Sequence, residues 1–343
     1  MRKLLNTLYV TAEDSYLSLD GENVVVMSDE NTLGRVPLHN IEGIVYFGYK
    51  GASPALMGKC TELGIGLSFL SQSGRFRAKV SGPTQGNVVL RRTQVLWAED
   101  PERSLGLAKN FLLGKLYNSR WVLERAIRDH SLRIDTECME RSASQIRDSI
   151  SALSSAERVG ELMGIEGAAA KAYFDVFDQM ILRNKEYFRF ENRSRRPPLD
   201  PVNAMLSFCY TLLGLDIASA LETVGLDPGI GFLHQLRPGR RSLSLDLLEE
   251  LRAPVADRFV LSQINLGIVS QKQFCVKENG AVLFDDDGRR KFLSEWQKRK
   301  QEMITHPFLK EKTPWGLVPY IQAMLLSRYM RGDLDEYPPF FWK

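Results

Sequence analysis

The chain has few cysteines, and none that pair by spacing: Cys60, Cys138, Cys209 and Cys275 stand far apart. That excludes a zinc ribbon and a disulfide framework, and fits buried free thiols in a reducing cytoplasm. Long apolar runs are missing as well. Leu4-Leu5 after Met1-Arg2-Lys3 is broken at Asn6-Thr7, so no signal-peptide core is expected. The longest apolar stretch, Met205 to Leu221, contains Asp216. It falls short of the roughly 18 uninterrupted apolar residues of a membrane span and is expected to form a core helix. No membrane partner is implied. A strong charge of one sign is also absent, since 45 basic and 42 acidic residues leave a formal +3. Local clusters must therefore carry any case for a polyanionic partner. There are no internal repeats and no low-complexity tracts.

What is present suits a globular protein of two domains: 343 residues, 44% hydrophobic and 25% charged. The first eighty or so residues carry short β-branched and aromatic runs at 16–19, 23–27, 43–47, 66–70 and 76–80, parted by turn signals such as Asp20-Gly21 and Ser73-Gly74. One helix interrupts them, with Ser53 as N-cap, Pro54 at its first position, Leu56, Cys60 and Leu63 on one face, and Gly64 past its end. From about Asn87 the pattern turns helical. Asp100-Pro101 opens a long amphipathic helix running past Trp121, and further helices are expected near 141–188, 202–222, 243–265, 289–304 and from Pro319 to Gly332. The fold class is α+β: a small N-terminal β-sheet or sandwich domain (1–86, antiparallel), a linker around 83–92, and a large all-α domain (87–343).

Three motifs could carry chemistry. Leu162-Met163-Gly164-Ile165-Glu166-Gly167-Ala168-Ala169-Ala170-Lys171 crowds small residues around one carboxylate, which suits a tight helix crossing as well as a ligand's close approach. Gly229-Ile230-Gly231-Phe232-Leu233-His234 ends a glycine-flanked loop on a histidine, a packed core residue or a metal ligand. In Leu245-Asp246-Leu247-Leu248-Glu249-Glu250-Leu251-Arg252, Asp246 and Glu249 share a helix face at i and i+3; helix-dipole complementation alone would also explain them. Basic residues cluster nearby: Arg237, Arg240 and Arg241 between the last two motifs, Arg193, Arg195 and Arg196 within a run at 183–196, and Arg289, Arg290 and Lys291 opening another at 289–300. Guanidiniums offer phosphates a planar bidentate fork, and Tyr187, Phe188 and Phe190 could stack bases. A solvated charged face is the plainer alternative for each run.

At Arg195-Arg196-Pro197-Pro198-Leu199-Asp200-Pro201-Val202-Asn203-Ala204-Met205-Leu206-Ser207-Phe208 the chain resembles the CRISPR-associated integrase–endonuclease family of the adaptation machinery. The resemblance runs essentially from end to end, and the stretch from His306-Pro307-Phe308 to Tyr337-Pro338-Pro339-Phe340 is similar to the subtype I-C branch. It implies Glu166, His234 and Glu249 as ligands of Mn²⁺ or Mg²⁺, with Asp246 an active-site neighbour. Two carboxylates and an imidazole are an appropriate donor set for such an ion. The implied reaction is attack by the 3′-hydroxyl of a captured foreign fragment on a phosphodiester at a CRISPR repeat border. Its reversal is disintegration, and with water as nucleophile it is endonucleolytic cleavage. The implied partners are double-stranded DNA, a second copy of the chain through the β domain, and a small ferredoxin-like adaptation protein. A structure-selective nuclease of branched DNA and a non-catalytic DNA-binding scaffold are the competing functions.

Overall fold

The computed structural model describes residues 4–29, 31–83 and 87–343. They fall into two compact units, one of Met1–Gln85 with Phe284–Glu302, the other of Gly86–Leu283 with Met303–Lys343.

In the first unit, β2 (Ser15–Asp20), β3 (Asn23–Ser28) and β4 (Asn31–Pro37) form an antiparallel meander, with Gly21 at φ 58° in the first turn. The other sheet has the order β1 (Asn6–Val10), β5 (Ile41–Tyr46), β6 (Gly66–Leu70), β7 (Phe76–Val80). Its first three strands are parallel, so the sheets are not wholly antiparallel as expected. A parallel pair needs a crossover, and α1 (Pro54–Leu63) supplies it between β5 and β6. The Ser53 hydroxyl accepts from the Leu56 N–H and Gly64 closes the helix at φ 68°. Leu56 and Cys60 join a core with Val24, Ile44 and Leu67, whereas Leu63 stays exposed.

The second unit is helical. Asn87 caps α2 (Val88–Glu99), which replaces part of the expected linker. Asp100 caps α3 (Pro101–His130) by accepting from the Glu102 and Arg103 N–H groups. The helical segments expected near 141–188 are α4 (Thr136–Leu153) and α5 (Val159–Asp175). Asp200-Pro201 opens α6 (Pro201–Thr223), which by length and hydropathy alone could cross a membrane; 61% of its apolar window is buried inside the unit. The helix expected at 243–265 is divided into α7 (Ser242–Leu251), a π-helical turn (Arg252–Asp257) and α8 (Arg258–Asn265). Pro254 sits in that turn, where its missing N–H interrupts the regular ladder.

Two short hairpins, at 274–284 and 303–314, flank α9 (Asp286–Gln301), and α10 (Val318–Met330) follows. The linear boundary at 86/87 gives α9 to the helical domain, but it clusters with the β unit. There Arg289 donates to Gln72 O at 2.6 Å and Lys300 reaches Thr7 Oγ1 at 3.2 Å.

The centre of the helical unit is α3, packed against α4, α5 and α7. Gly114 permits the α7 crossing, because a Cβ there would stand 2.9 Å from Glu250 Cγ. The C-terminal tail is anchored at the same place. Glu250 accepts from Tyr337 OH (2.8 Å), Gln322 Nε2 (3.0 Å) and the Phe340 N–H (2.8 Å). Asn118 donates to Glu250 O and Phe340 O and accepts from the Trp342 N–H.

Candidate active site

Three motifs far apart in sequence arrive at one place in the helical unit: Glu166 from α5, His234 from the loop before α7, and Asp246 and Glu249 from α7. Asp246 is fully buried, and its carboxylate organises the loop. Oδ2 accepts from the N–H groups of Phe232 (2.6 Å) and Leu233 (3.1 Å), and Oδ1 from that of His234 (2.9 Å). Oδ1 also stands 2.7 Å from His234 Nδ1. A carboxylate can only accept, so the imidazole proton is held on Nδ1 and the Nε2 lone pair is released towards Glu249, whose Oε1 lies 3.9 Å away. Gly231 is required for this wrap, since a Cβ would come within 2.7 Å of Asp246 Oδ2.

Glu249 is 4% exposed and stands between two cations. Oε1 lies 3.0 Å from Arg252 Nη2 and Oε2 lies 2.7 Å from Lys115 Nζ. Burial alone would raise this carboxyl, but the Arg252 and Lys115 charges outweigh it and hold the pKa at about 2. The Lys115 ammonium, from α3, also pairs with Glu166. One cation thus bridges the two glutamates. Around it, Lys115, Glu166, Tyr173, Arg195, Tyr210 and Arg252 line a single cavity. Arg252 lies over the Tyr210 ring at 5.1 Å. Tyr210 OH (2.5 Å) and Tyr173 OH (3.1 Å) donate to Asp257, whose pKa burial lifts to about 6 against those donors.

Among the described residues, no three His, Cys, Asp or Glu side chains are gathered closely enough to hold an ion as they stand. The donor set nevertheless suits one. Two carboxylate oxygens converge on a cation, and Glu249 Oε2 is buried without a hydrogen bond of acceptable geometry. The imidazole beside them offers its Nε2. A divalent ion would fit where the ammonium now compensates both glutamates.

Sequence reasoning missed Lys115 and Arg252. Arg252 is one helical turn beyond Glu249 and could have been inferred from i,i+3 spacing. Lys115 lies on another helix, 51 residues before Glu166, with no local signal. The basic candidates divide. Arg195 lines the cavity, and Arg196, Arg237, Arg290 and Lys291 are exposed. Arg240 is half-buried, and so is Arg241, whose pKa burial lowers against the nearby Glu222. Two are engaged by internal hydrogen bonds. Arg193 donates to Ser194 O, Asn203 Oδ1 and Ser207 Oγ, and Arg289, 2% exposed, to Gln72 O and Asp286. Phe188 and Phe190 are likewise core residues, packed on Phe274 and on Phe174 and Phe177, and cannot stack a base.

Residues 8–298 match the model of the family described as CRISPR associated protein Cas1. A CRISPR-associated endonuclease Cas1 of Chlorobaculum tepidum is 50% identical over 343 residues, covering all of both chains. The chain therefore belongs to the Cas1 family. Among solved structures, a casposase bound to an integration product has a like fold, with TM-score 0.85 and 24% identity over 99% of this chain and 95% of that one. A Cas6-RT-Cas1–Cas2 complex has a chain of like fold, with TM-score 0.83 and 20% identity over 100% of this chain and 36% of that one.

Proposed function

We propose that this protein is a metal-dependent DNA integrase and endonuclease of CRISPR adaptation, acting through Glu166, His234 and Glu249. The observation that carries the proposal is that Glu166 of α5 and Glu249 of α7 meet on one ammonium, with His234 Nε2 3.9 Å from Glu249 Oε1. The family relative named as an endonuclease supports it, as does the casposase of like fold held on an integration product.

In this mechanism Glu166, Glu249 and His234 Nε2 would hold Mn²⁺ or Mg²⁺, with Asp246 keeping the imidazole proton on Nδ1. The bound ion supplies Lewis-acid stabilisation of charge at the reacting phosphate. Lys115 leaves the glutamates for the phosphate oxygens, and Arg252 and Arg195 add positive charge at the cavity wall. The incoming 3′-hydroxyl oxygen forms the new bond to phosphorus and gives its proton to solvent, while the target strand's bridging 3′-oxygen leaves and takes a proton from solvent. Water in place of that hydroxyl gives cleavage.

The partners are double-stranded DNA, a second copy of this chain, and a small Cas2-type adaptation protein. The Cas1–Cas2 complex of like fold supports the last. Exposed Leu33, Tyr49 and Phe76 on the β unit support dimerisation there. The tail supports placement in the subtype I-C branch.

The test is incubation with branched DNA carrying a mobile 3′-end, with and without Mn²⁺. Strand joining that needs the ion is expected. Cleavage alone would indicate a general structure-selective nuclease, and binding without chemistry a scaffold.

A further inference from the structure

The loop between α6 and α7 (224–241) changes character at His234. Gly231, Phe232 and Leu233 before it are buried, and residues 235–239 after it are exposed. The direction of the imidazole is therefore set mainly from the N-terminal side. There the backbone is strung between two groups of side chains. Its N–H groups at 232–234 donate to Asp246 of α7. Carbonyls of the same segment are met from α2 and α3. Gln94 Nε2 donates to Asp227 O and to Ile230 O, each at 2.8 Å, and Gln94 Oε1 accepts the Asp227 N–H at 2.9 Å. Ser104 Oγ donates to Phe232 O at 3.2 Å. Phe232 is thus held through its N–H and its carbonyl at once.

Gln94 is fully buried, and its amide N–H groups and oxygen are engaged by this loop. Leu90, one turn earlier on the same face of α2, already supplies apolar packing, so volume alone does not call for an amide here. The amide spans the turn in which the Ile230 N–H meets Asp227 O at 3.3 Å. Glycines at 229 and 231 flank Ile230, and a glycine backbone has little conformational preference of its own. The register in which 232–234 reach Asp246 therefore depends on where 227–230 are pinned. A loss of that register parts His234 Nδ1 from Asp246 Oδ1, 2.7 Å away, and frees the ring to turn Nε2 from Glu249.

We propose that Gln94, assisted by Ser104, is a positioning residue for His234. It pins the loop so that Asp246 engages both the backbone of 232–234 and Nδ1, and Nε2 faces Glu249. The consequence for metal binding rests on the function proposed above; the pinning of the loop does not.

The test compares the whole metal-free protein with Gln94→Met, which keeps the side-chain length and loses all three hydrogen bonds. Hydrogen exchange reads the amides of Phe232, Leu233 and His234, and nitrogen NMR in alkaline buffer reads the His234 tautomer. Mn²⁺ calorimetry and DNA anisotropy follow. Wild type is expected to hold the Nδ1–H tautomer alone. In the variant the three amides should exchange about tenfold faster, those of α6 as before, and the Nε2–H tautomer should appear. Mn²⁺ affinity should fall about tenfold with DNA affinity unchanged, as for loss of a partner that orients a ligand. A variant with wild-type exchange and tautomer overturns the proposal. So does exchange that quickens equally along α6, which would make Gln94 a residue of stability only. Ser104→Ala should show the same changes to a smaller degree, and carries the test if Gln94→Met does not fold. Ser104→Thr, which keeps the hydroxyl, should restore the wild-type tautomer; a Thr variant no better than Ala overturns the hydrogen-bonded role. A wild type that takes up no Mn²⁺, with the tautomer still shifted by Gln94→Met, removes the proposed metal centre and leaves the pinning of His234 standing.

Discussion

The Asp246 carboxylate holds His234 at two points, accepting its backbone N–H at 2.9 Å and facing Nδ1 at 2.7 Å. In the proposed metal centre Asp246, with every contact turned to the loop, would orient His234 and not ligate the ion itself. Asp246→Asn is expected to weaken Mn²⁺ binding about 10- to 100-fold, the usual cost of losing a partner that orients a ligand. Glu249→Gln should lose the ion almost entirely. Calorimetric titration of both variants checks the assignment, and the reverse order of severity would exchange the two roles.

Lys115 pairs with both Glu166 and Glu249, so under the proposed mechanism it and the ion would compete for the same two glutamates. Lys115→Met is therefore expected to bind Mn²⁺ at least about tenfold more tightly while losing strand joining. Unchanged affinity in calorimetry would show that the ammonium never has to move.

Glu166→Ala, His234→Ala and Glu249→Ala should each abolish joining and cleavage with DNA affinity largely retained, since Arg and Lys contacts supply most of that affinity. Gel-resolved turnover in Mn²⁺ beside anisotropy on the same substrate separates the two. Near-normal turnover of any one variant removes that residue from the site.

These residues were unequally legible. Glu166, His234 and Glu249 lie in motifs that resemble a known family, and the caps at Ser53 and Asp100 announce their helices by local chemistry. Lys115 could not be inferred, because its partners are brought to it only when α3 packs against α5 and α7. Arg193 and Arg289 look like surface charge in sequence; their burial depends on acceptors such as Asn203 and Gln72 that folding places. Strands β1 and β4 carry Thr, Asn, Gly and Arg in place of an unbroken β-branched run, and pairing in the sheets decides them.

The basic residues should accordingly behave in two ways. Arg195→Ala/Arg196→Ala and Arg240→Ala/Arg241→Ala are expected to flatten the salt dependence of DNA binding, by roughly one unit of slope per lost phosphate contact. Arg289→Ala should leave the slope unchanged and cost about 1–3 kcal/mol of stability, because it removes a buried side chain and the donor to Gln72 O. Denaturation and salt titration of the same variants would reveal either assignment as misplaced.

The tail anchor titrates. Burial raises Glu250 from 4.5 to about 8, despite its three donors. The folded protein then binds this proton more tightly than the unfolded chain. Its stabilising contribution is full below pH 4.5 and is lost as pH rises through about 8. Wild-type melting temperature should carry a component that declines over that window. Glu250→Gln should lack it, and an equal decline in both proteins would place the titration elsewhere.

The most direct test of the metal-centred account is a crystal soaked in Mn²⁺ and measured at the manganese absorption edge. The expected result is one anomalous peak bounded by Glu166, Glu249 and His234 Nε2, with Lys115 drawn away from both carboxylates. A peak elsewhere, or Lys115 still bridging the two glutamates at saturating Mn²⁺, would contradict it.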